Sequence, residues 1–153
     1  MHPVHVWIRS ESRGTERRAP VVPADIPLLI DAGFQVTVEE STQRIFAVEE
    51  YAAAGASLAG EGTWADAPDD AYVLGIKELP DEPESLRHRH IYFAHAFKGQ
   101  EDAPRTLGRF HRGGGRLLDS STSPAMTAGG WSRSATGPAT WAPPSASCIW
   151  PAR

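Results

Sequence analysis

Two apolar runs lie close together in the middle of the chain, YVLGIK at residues 72–77 and HIYFAH at residues 90–95. A strand buried on both faces of a parallel sheet reads as a continuous apolar run, so these two segments constrain the chain to an α/β layer fold. In such folds the polar groups at the C-terminal tips of the strands face the ligand crevice. Both runs end in residues that can handle protons. Lys77 and Glu78 close the first, before Leu79-Pro80, and His95 closes the second, with Lys98 three residues on. The two tips point to one shared site.

The segments on either side fit the same architecture. Val4, Val6 and Ile8 alternate with His5 and Trp7, a first strand of about six residues that ends at Arg9-Ser10-Glu11. A loop dense in charge follows, with Glu16, Arg17 and Arg18 together. Pro23 suits the first turn of a helix whose apolar face is Ile26, Leu28, Leu29 and Ile30 and whose C-cap is Gly33. FQVTVEE at 34–40 is a second strand. Another helix spans about Val48 to Ala54, closing on Gly55, and Trp64 sits in a turn-rich link ending at Pro68. A last helix around Pro104 to His111 leads to GGGRLLD, where Leu117-Leu118 begin a strand. Alternating strands and helices at this spacing predict a mostly parallel sheet with helices on both faces, Rossmann-like or flavodoxin-like in layering.

Composition bears on partners and on domain limits. At 153 residues the chain fits one ordinary domain, and a net charge of -4 argues against a nucleic-acid footprint. Cys148 is the lone cysteine, and no signal peptide or apolar run of membrane length is apparent. The expectation is a monomeric cytoplasmic protein that engages a small molecule and neither membrane nor nucleic acid. All 19 acidic residues lie at or before Asp119, while the last 34 residues hold no Asp, Glu or Lys, three of the five tryptophans and five prolines. That segment lacks the period of a packed element, so the domain is placed at 1–119 and an irregular tail at 120–153.

By residue type alone, Lys77 is either a solvated surface lysine or a proton carrier whose pKa is lowered by partial burial and by cations such as Arg18 and Lys98. His95 is either a core residue bonded to a carbonyl or a proton shuttle working near neutral pH. His2, His5, His88, His90 and His111 lack such context and read as structural or exposed. No two of them have metal-site spacing, so no metal is expected. The GGG at 113–115 precedes a strand instead of following one and lacks the spacing of a dinucleotide loop.

GIKELP, HIYFAHAFKGQ and RFHRGGGRLLD, preceded by RSESRGTERRAPVVP, FQVTVEESTQRIF and EEYAAAGA in that order, resemble the NAD-dependent, lysine-forming saccharopine dehydrogenases over roughly residues 4 to 119. A more distant similarity is to the N-terminal domain of alanine dehydrogenases and transhydrogenases. The resemblance implies oxidation of saccharopine with NAD to lysine and 2-oxoglutarate, with Lys77 as base in imine hydrolysis and His95 as acid/base in carbinolamine collapse. It implies further that Arg18 and Lys98 clamp substrate carboxylates, while Glu16 and Glu78 hold a cation or tune Lys77. An alanine-dehydrogenase-like enzyme fits less well, because KELP and FAHAFK match the saccharopine enzymes. A fragment that binds lysine, saccharopine or 2-oxoglutarate without turnover is a further possibility.

After RLLD the family continues with Leu-Glu and, later, a glycine-rich dinucleotide domain, whereas this chain has Ser120-Ser121. Writing Asp119-Ser120-Ser121 as GAC TCG AGC and inserting one C after GAC restores Asp-Leu-Glu. In the same restored frame Gly129 to Pro143 becomes RRVVAFGYWAGYVGA, similar to the family's continuation. The tail is therefore expected to be read out of frame. NAD binding is expected to be missing with the domain that supplies it.

Overall fold

Alternation along the first strand divides the protein into two cores. The structure, a computed structural model, describes residues 2–96 and 101–122. In β1 (His5–Ile8), Val6 and Ile8 are buried with Val36, Val38, Ile26 and Tyr51, whereas Trp7 packs against a second cluster of Trp64, Val73, Leu86, Tyr92 and Phe110. Successive side chains of a strand point to opposite faces, so a strand that feeds two cores is covered on both sides.

Five more strands complete the sheet: β2 (Gln35–Glu39), β3 (Ser57–Ala59), β4 (Tyr72–Leu74), β5 (Arg89–Tyr92) and β6 (Arg116–Asp119). Their order is β3-β2-β1-β4-β5-β6, and every pairing is parallel. Residues of α1 (Ile26–Asp31) and α2 (Val48–Ala53) enter the first core, and Phe110 of α3 (Ala103–Gly113) enters the second. This is the doubly wound α/β arrangement, with the direction of winding reversing between β1 and β4. The expectation of a parallel sheet sandwiched between helices holds.

Local chemistry accounts for the helix ends. Gly33, at φ 88°, follows α1, and the amides of Gly33 and Phe34 reach back to the carbonyls of Ile30 and Leu29. This closes the last turn in a conformation that side-chain-bearing residues avoid. At the start of α2 the Glu50 carboxylate accepts the Ala47 N–H at 2.9 Å, the half of a capping box that alanine at the cap leaves possible.

Three details depart from the sequence expectations. Strand β3 was not foreseen, because it is a three-residue edge strand with Leu58 exposed and carries no usable periodicity. In α1 only Ile26 is fully buried and Leu29 packs on the core, while Leu28 and Ile30 are 59% and 38% exposed; four apolar residues within five positions spread too far round a helix for one face to hold them. The run beginning at Tyr72 is regular only to Leu74, although bonds from the Gly75 amide to Ile91 and from the Phe93 amide to Ile76 carry the β4–β5 ladder further. Apart from Ser120–Thr122, which form a 3-10 turn, the expected tail lies outside the described residues, as does Lys98. No helix among the described residues is long and apolar enough to cross a membrane.

The second core contains His90, fully buried, with its ring edge-on to Trp64 and Phe110 at centroid distances of 5.1 and 5.4 Å. Neither ring nitrogen has a protein hydrogen-bond partner. Burial, reinforced by the positive charges of Arg9 and Arg109 and by His88, pushes its pKa down to about 3. The folded protein therefore keeps His90 neutral while the unfolded chain titrates near the ordinary value. That contribution to stability is complete above the unfolded pKa and is lost as pH falls toward the folded one. Between pH 7 and pH 5, wild-type protein should lose about 2 kcal/mol more than His90→Leu, read from urea denaturation at the two pH values. Equal losses in the two proteins would show that His90 is not the titrating group.

Candidate active site at the reversal of the sheet

The first strand ends in three buried polar residues, Arg9, Ser10 and Glu11, at the point where the winding reverses. Arg9 is only 1% exposed. Its guanidinium donates to the Ser10 carbonyl at 3.0 Å, to Glu11 Oε2 at 3.3 Å and to the Lys77 carbonyl, and it lies 5.9 Å from the centre of the Tyr92 ring. Glu11 in turn accepts the Ile76 N–H at 2.7 Å and the Lys77 N–H at 3.0 Å. The peptide groups on both sides of Lys77 are thus held by one buried ion pair.

Gly75 makes this possible. A Cβ there would stand 2.4 Å from the guanidinium of Arg9, so only glycine lets β4 pass beside it. Beneath the pair, Glu39 is fully buried and accepts hydrogen bonds from Trp7 Nε1 at 2.9 Å, Ser10 N at 2.8 Å, Ser10 Oγ at 2.9 Å and Gly62 N at 3.0 Å. Arg44 donates to the carbonyls of Glu39 and Arg9.

The charged loop after β1 is pinned by Gln43, whose side-chain amide donates to the carbonyls of Glu11, Arg13 and Glu16 at 3.0 to 3.1 Å. Glu16 is buried and binds Arg18 three times, at its backbone N–H, Nε and Nη2, between 2.7 and 3.0 Å. Those bonds, against the opposing effect of burial and with help from the charges of Arg18 and Lys77, hold the Glu16 carboxyl down at about 2. The Arg18 side chain is 70% exposed.

The structure places Lys77 and His95 just beyond the tips of the paired strands β4 and β5, with Glu16 and Arg18 on the neighbouring loop. His95 is half-buried and has φ 51°. Glu78 is turned to the rim, where its carboxylate binds Arg13 at 2.7 Å while its carbonyl accepts from Ser12. Sequence reading missed Arg9, Glu11, Glu39 and Gln43. The available signals were the glycine inside an apolar strand and the polar triplet directly after β1.

Nothing among the described residues makes a cradle for a dinucleotide. The connection from β1 to α1 contains Gly14 alone, and Pro27 stands in the first turn of α1. Of the three glycines at the end of α3, Gly114 caps the helix at φ 71° and the other two pack against main chain: a Cβ on Gly113 or Gly115 would come within 2.3 Å of the Leu86 carbonyl oxygen. No step involving NAD is assigned to these residues.

What the structure defines here is a doubly wound α/β domain with Lys77 and His95 just past neighbouring strand tips, and the comparisons give its family. The family profile "Alanine dehydrogenase/PNT, N-terminal domain" matches residues 7–130, and the chain belongs to that family. More particularly, it is 51% identical over 115 residues to the lysine-forming, NAD-dependent saccharopine dehydrogenase of Emericella nidulans and 45% identical over 116 residues to that of Schizosaccharomyces pombe. These matches cover 74% and 75% of this chain but 31% and 32% of the relatives, so the chain spans about a third of their length. Among solved structures, a transhydrogenase from Sinorhizobium meliloti matches with a TM-score of 0.61 at 19% identity, covering 75% of this chain and 34% of that one, which supports the fold.

Removing one member of a buried ion pair costs about 3–5 kcal/mol. Glu11→Ala should destabilise the protein by that order, because it leaves Arg9 charged and two peptide N–H groups without their acceptor. Gly75→Ala should cost about 1–3 kcal/mol by crowding the guanidinium. Both act through Arg9, so the double variant should lose less than the sum of the singles in denaturant titration. Strict additivity would mean that Gly75 does not serve Arg9.

Proposed function

We propose that residues 1–119 are the substrate-binding half of an NAD-dependent, lysine-forming saccharopine dehydrogenase, and that residues 120–153 are read out of frame. The observation that supports this reading is that Lys77 and His95 follow adjacent strand tips, in a chain 51% identical over 115 residues to an enzyme of that name. The NAD of the whole enzyme supplies the hydride acceptor and belongs to a domain outside residues 1–119.

The chain's own groups hold carboxylates and move protons. Water adds to the imine carbon of the oxidised substrate while Lys77, as the free amine, takes its proton. The carbinolamine then collapses: His95 takes the hydroxyl proton and returns one to the nitrogen as the carbon–nitrogen bond breaks, so that the nitrogen departs as the amine of lysine and 2-oxoglutarate is left. Arg18 and Lys98 position the carboxylates of the substrate, which suits the planar fork of arginine and the point charge of lysine. Glu16 fixes Arg18, and Glu78 tunes the charge around Lys77 from the rim.

Lys77 and Lys98 are the only lysines in the sequence, which makes a direct test simple. Saccharopine should protect both from an amine-specific reagent, with mass spectrometry locating each adduct. Labelling of Lys77 that is indifferent to saccharopine, lysine and 2-oxoglutarate would sink the reading. Arg18→Ala should weaken 2-oxoglutarate binding roughly ten-fold in calorimetry, the worth of a charge-assisted contact. For the frame, NADH production from saccharopine should appear when one base is restored at the Asp119 codon with the downstream sequence in place, and not in the 153-residue chain.

A further inference from the structure

Where β5 ends the chain turns sharply, and it turns around the side chain of Asp119. Strands β5 and β6 pair in register as far as Tyr92 opposite Asp119. Past that point the carboxylate takes over from the ladder: Oδ1 accepts the Ala94 N–H at 3.2 Å and the Ser121 N–H at 2.9 Å, and Oδ2 accepts the Ala96 N–H at 2.9 Å. Peptide donors on either side of His95 therefore converge on one buried carboxylate. Convergence requires the chain to reverse at His95, which is the only non-glycine residue with positive φ among the described residues.

Consecutive peptide N–H groups directed this way form a concavity for an anion, and here the anion is a side chain of the same domain. Burial resists the ionisation of Asp119, yet hydrogen bonds from Ser121 and from the amides of Ala96 and His95 outweigh it and hold the carboxyl below its ordinary value. A residue with a Cβ avoids the left-handed region unless its surroundings impose it, and such conformations gather at functional sites. Without the carboxylate, residue 95 would relax to an extended or right-handed backbone. The imidazole would then swing off the tip of β5.

We propose that Asp119 is the positioning residue for His95: its carboxylate fixes the backbone of residues 94–96 in the one conformation that presents the imidazole beside the tip of β4, where Lys77 stands. The inference rests on the reading of His95 as a proton carrier given above.

Nuclear magnetic resonance of the 153-residue chain tests it. In wild-type protein the one-bond Cα–Hα coupling of His95 should report positive φ, and saccharopine should shift the imidazole signal. In Asp119→Asn one acceptor oxygen becomes an amide that cannot accept. The coupling should move to an averaged value, and the saccharopine dissociation constant read from that signal should rise at least about ten-fold, as expected for a misplaced reacting group. An Asp119→Asn protein with the wild-type coupling would overturn the proposal, whatever its melting temperature. Should that variant fail to fold, His95→Gly decides, because glycine takes the left-handed conformation unaided. Asp119→Asn placed on His95→Gly should then fold, and failure of the double variant as well would overturn the proposal. If saccharopine leaves the wild-type signal unmoved, the functional reading fails while the coupling still decides the role of Asp119.

Discussion

A guanidinium buried in the middle of a parallel sheet is the constraint on which the rest of this domain depends. Removing an arginine from water is costly unless its donors are met and its charge is paired. Arg9 has Glu11 for its charge, the carbonyls of Ser10 and Lys77 for its donors and the Tyr92 ring beside it. Each partner carries a consequence. Glu11 can reach Arg9 only by also capping the Ile76 and Lys77 amides, and β4 can pass only with glycine at position 75. Past Leu74 the ladder to β5 goes on through the Gly75 amide and the Ile76 carbonyl, while the Ile76 and Lys77 amides turn to Glu11 instead.

The topology explains why this cluster lies where it does. In a parallel sheet all C-terminal tips share one edge, and at the reversal between β1 and β4 the following segments leave to opposite faces, which opens a crevice. Arg9, Ser10 and Glu11 follow β1 on one side of that reversal, and Lys77 follows β4 on the other. Glu39, at the end of β2, ties the Ser10 amide and hydroxyl to the Gly62 amide, so the links after β1 and β3 share one acceptor. The polar groups that follow β1, β2 and β4 satisfy one another, with Glu39 and Glu11 as the shared acceptors.

Much of this could be read from the residues. The apolar runs at 72–77 and 90–95 marked central strands because both faces of a parallel sheet are buried, and the tips followed at once. Edge strand β3 had no such mark, since two of its three residues are exposed and the third half-buried, which leaves no period to detect. The charge cluster was harder for a different reason. Arginine and glutamate are usually exposed, so Arg9, Glu11 and Glu39 looked like loop residues until packing placed them against one another. Gly75 and the polar triplet after β1 were the local traces of that packing, and the left-handed backbone of His95 left none, since its neighbour Ala96 is bonded to Asp119, 23 positions along the chain.

The Glu16–Arg18 pair limits how a dicarboxylate could be drawn in. Two of the guanidinium nitrogens of Arg18, Nε and Nη2, are taken by Glu16, whose carboxyl is held down at about 2 by those bonds. As a unit the pair is close to neutral, so it can orient a carboxylate through the rest of the fork without attracting one from a distance. Pairing also holds the fork still while most of the side chain remains exposed, which lowers the entropy lost when a ligand binds. The attraction has to come from another cation, and the charge of Lys77 already bears on Glu16. On the proposed chemistry the same lysine must give up that charge to accept a proton from water. Binding and hydrolysis then ask opposite protonation states of Lys77, and a second cation for the substrate carboxylates, the role proposed for Lys98, would let it leave the first task for the second.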